Sequence, residues 1–384
     1  MKSAALFQVP SSSQLDRYRL EGDAPTDDFI TRLMQLGGAH LIPEIMQSLN
    51  TNNFIYLSSC DQEQADLIKN YISDSSVLPK WVNAQLLEHG QKVFQTHTPS
   101  IFMLLNMSAL PICYSCCNGA KVLYETGKLL SQKQIQTTKR RLMDTAQMVI
   151  DVFGNKALQI DGPGVRSAQR VRLIHALTRH HLNTKTDWDD ARYGVPINQE
   201  DMAGTLMSFS TVTLAGLKKL DIKLSEQEIA GYMHYWKVIG HLMGIEEKLM
   251  PDRYEDGFAL ASAILKHQSA PSEESAELTA THLQFLNSML PFRSSSNVLK
   301  YLINHFIHEF SISSGIDLCQ CIGISPDNQF SRVPIKITFG LLNRYILVSK
   351  GKITSRVLAP LNTLFLQQII NLLKIDYSAK FLKR

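Results

Sequence analysis

Apolar residues recur three and four positions apart through most of this chain, which is the period of helices buried on one face. Ile30, Leu33, Met34 and Leu36 form such a set, with Asp27 or Asp28 available as a cap and Gly37-Gly38 as a stop. A second helix is expected from Asp61 to Ile72. A third, opened by Pro79-Lys80-Trp81, carries Leu86, Leu87, Val93 and Phe94. The stretch 131–153 reads as one long amphipathic helix, with Leu142, Ala146, Val149 and Ile150 inward and a basic run at 139–141. Gly154, Gly162, Pro163 and Gly164 then punctuate the chain before a helix over 165–182. Asn198 is a good N-cap for a helix running to about Leu217. Glu200 and Asp201 would place negative charge in its first turn, where the helix dipole favours it. A further helix spans 226–244, and Pro251 follows it.

Strand-like alternation is confined to 335–339, so the pattern predicts an all-α fold with one large helical domain. The most apolar run, 101–117, is short for a membrane span. Asn106, Ser108 and Pro111 interrupt it, and it reads as a buried core helix. The polar stretch 268–276, with Pro271, reads as a surface loop. Composition changes at 331–384, where ten basic residues stand against the single acid Asp376 among many Leu and Ile. That extension either lies on an anionic membrane surface through 361–373 and the following Lys374, Lys380, Lys383 and Arg384, or packs on the domain.

With 384 residues, 44% of them hydrophobic, the chain can bury one large core, and two domains are also within reach. A net charge of +4 argues against a nucleic-acid partner, which calls for concentrated basic faces. Residues 1–20 hold no apolar core, and Asp16, Arg17 and Arg19 break them up, so no secretion signal is expected. Cys113-x-x-Cys116 has no second pair at zinc-finger distance. Together with Cys60, Cys117, Cys319 and Cys321 it reads as free thiols in a reducing cytoplasm.

The densest polar cluster on an apolar helix is Arg172-Leu173-Ile174-His175-Ala176-Leu177-Thr178-Arg179-His180-His181. Arg172, His175 and Arg179 share one face. Two arginines flanking a histidine are either a solvated basic face around a satisfied core histidine, or buried groups that need carboxylates or an anionic metallocofactor. On the preceding helix Arg141 and Thr145 stand four apart and could face His175 across a pocket, with Glu125 a possible base nearby. His234 and His241 share a face on an aromatic helix and line either that pocket or the core. Glycine-rich phosphate loops, a nucleophile elbow and the His-Glu-x-x-His zinc motif are absent.

Taken together, Ala109-Leu110-Pro111 through Glu125-Thr126, Arg141-x-x-x-Thr145, Arg172-x-x-His175-x-x-x-Arg179-His180, Gly194-x-Pro196-x-Asn198-Gln199-Glu200-Asp201, Tyr232-x-x-x-Trp236-x-x-x-Gly240 and Gly244-Ile245 carry a resemblance. The sequence resembles the latex clearing protein (rubber oxygenase) family and the wider superfamily of the fungal oxygenase of mycophenolic acid biosynthesis, over about 15–330. The resemblance implies a globin-like helical core that binds haem b. It makes His175 the proximal iron ligand, with Arg172, Arg179 and His180 in support. It puts Arg141 and Thr145 on the distal side and Glu125 at the position of the base. The implied activity is O2-dependent cleavage of an unsaturated, isoprenoid or lipid-like hydrophobic substrate. Asp144 stands where the rubber-cleaving enzymes carry a lysine, which points away from polyisoprene itself. Two other functions are open at this stage: a haem-binding sensor or carrier without oxygenase activity, and a helical interaction protein that has lost the cofactor.

Overall fold

The computed structural model describes residues 7–51, 60–129, 134–289 and 296–325. Local capping accounts for many of the helix starts. Helix α1 (Ser12–Tyr18) begins where Gln14 Oε1 accepts from the Ser11 amide. Helix α2 (Ala24–Gln35) begins three residues before the expected Asp27, because Asp23 takes the N-cap position and Pro25 fits the first turn. It is followed by α3 (Ile42–Thr51) and α4 (Gln62–Asp74), the latter capped by Asp61, which accepts from the Gln64 amide at 2.8 Å. Helix α5 (Ala84–Leu104) starts at Asn83, whose carboxamide oxygen satisfies two orphan amides, Gln85 N and Leu86 N.

The apolar run 101–117 does continue as buried helix, but through a π-turn. After Leu105–Ala109 the chain re-enters α-helix as α6 (Leu110–Ser115), with Pro111 in its first turn, where a missing N–H is harmless. Cys116 breaks the run and α7 (Cys117–Leu129) follows. Then come α8 (Gln134–Val152), α9 (Pro163–Lys185) and the short α10 (Asp190–Tyr193). The helix expected from Asn198 is α11 (Gln199–Met207). It is joined through a second π-turn, Ser208–Val212, to α12 (Thr213–Lys219). The two π-turns pack against each other.

Helix α13 (Glu226–Leu242) is capped by Ser225. Helices α14 (Tyr254–Gln268), α15 (Glu273–Met289), α16 (Ser296–Ser314) and α17 (Leu318–Cys321) complete the described chain. The stretch 268–276 is not one surface loop. Gln268 ends α14 and is 4% exposed, and Ser272 already organises the next helix by accepting from the Ser275 amide. Among the described residues, β structure amounts to one isolated bridge, Cys116 to Ser269. The fold is all-α and forms one helical domain. No helix among the described residues is long and apolar enough to cross a membrane. The extension 331–384, with its strand-like 335–339 and its membrane-surface reading, lies outside the described residues.

The main core joins side chains of α5, α6, α8, α11 and α13–α16, with Tyr232, Phe306 and Phe310 among its largest fully buried members. Helices α5 and α13 pack along each other and meet backbone to backbone at Gly90 and Gly231. A smaller cluster forms where α2, α3 and α4 close over α9, through Phe29, Ile30, Leu33, Ile45, Ile68 and Leu173. Helix α9 therefore lies between two apolar layers, which bury Ser167, Gln169 and Arg179.

Candidate functional site

A solvated basic face is not what α9 presents. Asp23, 2% exposed, takes Arg172 in a two-pronged grip, with Nε to Oδ2 at 2.5 Å and Nη2 to Oδ1 at 2.7 Å. Asp27, one turn along α2, accepts from Arg179 Nε through both oxygens at 2.7 and 2.9 Å. Arg179 Nη1 donates to the Ile197 carbonyl at 3.0 Å. Arg179 is 3% exposed and its Nη2 is buried without a partner. Burial lifts Asp27 above the ordinary carboxylate range, against the pull of Arg179. Of the two needs that buried arginines have, carboxylates or an anionic ligand, the protein meets the first by itself. Asp23 and Asp27 were not singled out as site residues from sequence. Their signal was an acid pair at i, i+4 on one helix, matched to arginines seven apart on another.

His175 stands between the two arginines. Its Nδ1 is buried without a partner, and neither ring nitrogen makes a hydrogen bond among the described residues. Burial first, and Arg179 second, push its pKa down to about 3, with Asp23 acting the other way. The ring is therefore a neutral imidazole with free lone-pair capacity. Two other inward-turned histidines each make a hydrogen bond through Nε2, although His282 Nδ1 is also buried without a partner. His282 Nε2 donates to the Asn106 carbonyl at 3.0 Å, and His234 Nε2 accepts from the Asn83 amide at 2.9 Å. Leaving the buried Nδ1 unbonded costs about 1–3 kcal/mol, so a partner for it has a physical motive. Neutral imidazole is the form that binds metals. Among the described residues no group of three or more His, Cys, Asp or Glu could hold a metal ion. A single histidine suits a metal whose other ligands arrive with it, as in a porphyrin. His175 thus has the chemistry of a single protein ligand to a metal that brings its other ligands with it. His180, the next residue after Arg179, is half-buried.

Arg141 and Thr145 lie half-buried on α8, which packs against α9. Arg141 reaches α7, where Nη1 donates to the Leu123 carbonyl at 2.5 Å and Nη2 to Thr126 Oγ1 at 2.6 Å. Burial pulls its pKa down. It thereby ties α8 to the helix that carries Glu125. No hydrogen bond or ion pair joins Arg141 or Thr145 to His175 among the described residues. Glu125 is about one-third exposed and lies 4.0 Å from Lys121 Nζ, which also pairs with Glu274 at 3.2 Å. Asp144 sits near the surface, 3.8 Å from Arg140.

The start of α11 has a different role from a simple charged cap. Asn198 does cap, accepting from the Asp201 amide at 3.0 Å. Gln199, however, turns inward: its Nε2 donates to the carbonyls of Gly22 and Gly244 and its Oε1 accepts from the Glu246 amide. Glu200 is fully buried, with Oε1 2.8 Å from His267 Nδ1, while His267 Nε2 lies 3.1 Å from the exposed Asp16. Burial raises the Glu200 pKa to about 7, with His267 pulling the other way. The folded chain therefore holds a proton that the unfolded chain releases between about pH 4.5 and 7. Stability from this group is full below that window and is lost as pH rises through it, with a slope approaching about 1 kcal/mol per pH unit. Glu200→Gln should flatten this slope in urea unfolding at pH 5, 6, 7 and 8. An unchanged slope would refute the assignment.

His234 and His241 lie on the face of α13 that meets Trp81. Both set their rings edge-on to Trp81, at 5.7 and 6.2 Å between centroids. No disulfide joins the six cysteines among the described residues, and burial raises the thiol pKa of Cys113, Cys116 and Cys117.

Residues 119–316 match the family described as ER-bound oxygenase mpaB/B'/rubber oxygenase, catalytic domain. The rubber oxygenase of Streptomyces sp. (strain K30) is 21% identical over 214 residues, which are 55% of this chain and 51% of that protein. The chain thus spans about half the length of that curated relative. The structure of latex clearing protein LCP in the closed state has a like fold, with a TM-score of 0.67 at 18% identity over 85% of this chain and 84% of that one.

Proposed function

We propose that this chain, which belongs to the mpaB and rubber oxygenase catalytic-domain family, is a haem b-dependent oxygenase that uses O2 on an unsaturated, isoprenoid or lipid-like substrate. The observation that carries the reading is His175, a half-buried neutral imidazole whose Nδ1 is buried without a hydrogen-bond partner, on a helix braced by two ion pairs. When bound, haem supplies the dioxygen chemistry, and the protein supplies orientation and a dry site. In this reading His175 would hold the iron, with Arg172, Arg179 and His180 supporting the helix around it. Arg141 and Thr145 are the donors on the facing helix that stabilise developing negative charge. Glu125 accepts an allylic proton. Cleaving one carbon–carbon double bond with one O2 yields two carbonyl groups. Asp144, in place of a lysine, supports a small unsaturated lipid over a polymer.

The test is the absorption spectrum during haem titration of the purified chain, beside His175→Ala. The wild type should show a Soret band that saturates near one haem per chain, and the variant should lose or shift it. O2 uptake on adding an unsaturated lipid then separates an oxygenase from a sensor or carrier. A wild type that takes up no haem sinks this reading and favours an interaction protein on the same fold.

A further inference from the structure

The brace around His175 comes from a part of the chain that the family's catalytic-domain match does not include. The match begins at residue 119, whereas the two carboxylates belong to α2. Asp23 and Asp27 are four apart on α2, and Arg172 and Arg179 are seven apart on α9, with His175 between them. Arg172 is held by Asp23 through two donor nitrogens, a geometry that fixes direction as well as distance, and Arg179 shares its Nε between the two oxygens of Asp27 while Nη1 donates to the Ile197 carbonyl. The aspartates are themselves aimed: Thr26 Oγ1 donates to Asp23 Oδ2 at 2.6 Å, and the Asp23 amide donates to Asp27 Oδ2 at 3.1 Å.

The enclosure is tight around the carboxylates, while Arg179 Nη2 is left buried without a partner. A Cβ at Gly22 would stand 2.6 Å from Asp27 Oδ2, and one at Gly244 would stand 2.6 Å from Asp23 Oδ2 and 2.8 Å from Arg172 Nε. Gly244 also has φ +80°, a conformation that glycine adopts without strain. Gln199 ties the two glycine carbonyls together across the network. Two staggered ion pairs on one helix, the first of them two-pronged, constrain both its rotation about its own axis and its height. His175, lacking any bond of its own, is aimed only through them and through packing.

We infer that Asp23 and Asp27 are positioning residues for His175, acting through Arg172 and Arg179, and that these arginines orient the ligand helix instead of binding the carboxylates of the cofactor. The inference rests on the reading of His175 as the iron ligand. Buried ion pairs add little net stability over apolar packing but specify geometry, which is the role assigned here. The anionic groups of haem must then meet other cations.

The experiment has one readout that needs no haem and one that does. In the apo-protein labelled with 15N-histidine, the imidazole signals of His175, assigned by their loss in His175→Ala, should report one neutral tautomer. In Asp23→Asn and Asp27→Asn those signals should broaden or split while the amide spectrum stays folded. Asp27→Glu keeps the charge at a partly exposed site and should fold even where the asparagine variants do not, with the His175 signals displaced. In haem titration Asp27→Asn should weaken binding at least about tenfold, and adding Arg179→Gln should change that by less than about threefold. His175 signals identical in all the folded variants overturn the inference. So does an Arg179→Gln that weakens binding by itself while Asp27→Asn does not, since Arg179 would then hold the cofactor directly. A wild type without haem affinity whose His175 signals still respond to Asp27→Asn keeps the positioning role and removes the haem reading.

Discussion

Replacing Arg172 by methionine should destabilise the chain by about 3–5 kcal/mol. Methionine fills much of the space of the arginine stem, so the loss is electrostatic. Asp23, 2% exposed, keeps only the Thr26 hydroxyl at 2.6 Å as a side-chain donor once the guanidinium is gone. A carboxylate left buried without its guanidinium must stay ionised in a poor medium, take up a proton, or open its surroundings to water. The double variant Arg172→Met with Asp23→Leu removes both charges and should recover most of the loss, because a buried pair gains little over apolar packing. Urea unfolding of the two variants beside the wild type measures this. Equal destabilisation of single and double variants would mean that the loss comes from packing. The two should part in another respect: the double variant, though stable, should show a disordered His175, because orientation and stability are separate products of the same ion pair.

Gly231→Ala should destabilise the chain by about 3 kcal/mol, at the upper end for overpacking. At an exposed helical position the same change gains about 0.5–1 kcal/mol, through better helix propensity and a less free unfolded chain. What reverses the sign is the crossing of α5 and α13. A Cβ on residue 231 would stand 2.7 Å from the Leu86 carbonyl oxygen and 2.8 Å from the Gly90 amide nitrogen. Both are backbone atoms of a helix in mid-course, so no side chain can swing away, and the two helices must separate along their length. The aromatic stack of Phe153 against Phe94 and Tyr235, with centroids 4.3 Å apart in both cases, spans that contact and would be strained with it. Gly119→Ala is the control. Its Cβ meets nothing closer than Asp201 Oδ1 at 3.7 Å, so it should be neutral or stabilising in the same thermal or urea assay. Equal destabilisation by both would show that the crossing has more room than the distances allow.

These two sites mark the limit of what local pattern carries. The helix starts at Asp61, Asn198 and Ser225 could be read from residue order, because a cap and its amides lie within four positions of each other. The shared face of Arg172, His175 and Arg179 was equally legible from helical period alone. Glu200 and Asp201 were legible as acids in a first turn but not as what they are. A fully buried Glu200 facing His267 depends on α14, 67 positions further on. The stretch 268–276 misled for a related reason: polar residues predict exposure only until another helix covers them, as happens to Gln268.

The sequence by itself determined that this chain is helical, where many of its helices begin, which histidine is flanked by arginines, and which family it resembles. Each of these is recorded within a few residues, by period, capping or motif order. Only the tertiary structure decided what those arginines hold. Asp23 lies 149 positions from Arg172 and Asp27 lies 152 from Arg179. Any of the acids could have been the partner, until α2 folded over α9 and excluded the water that would have served instead. The same holds for Gly90 and Gly231, ordinary glycines in two helices until close packing brings their backbones together. Physical chemistry sets the local rules along the chain. Burial, which exists only once the elements have packed, selects which long-range pair must satisfy them.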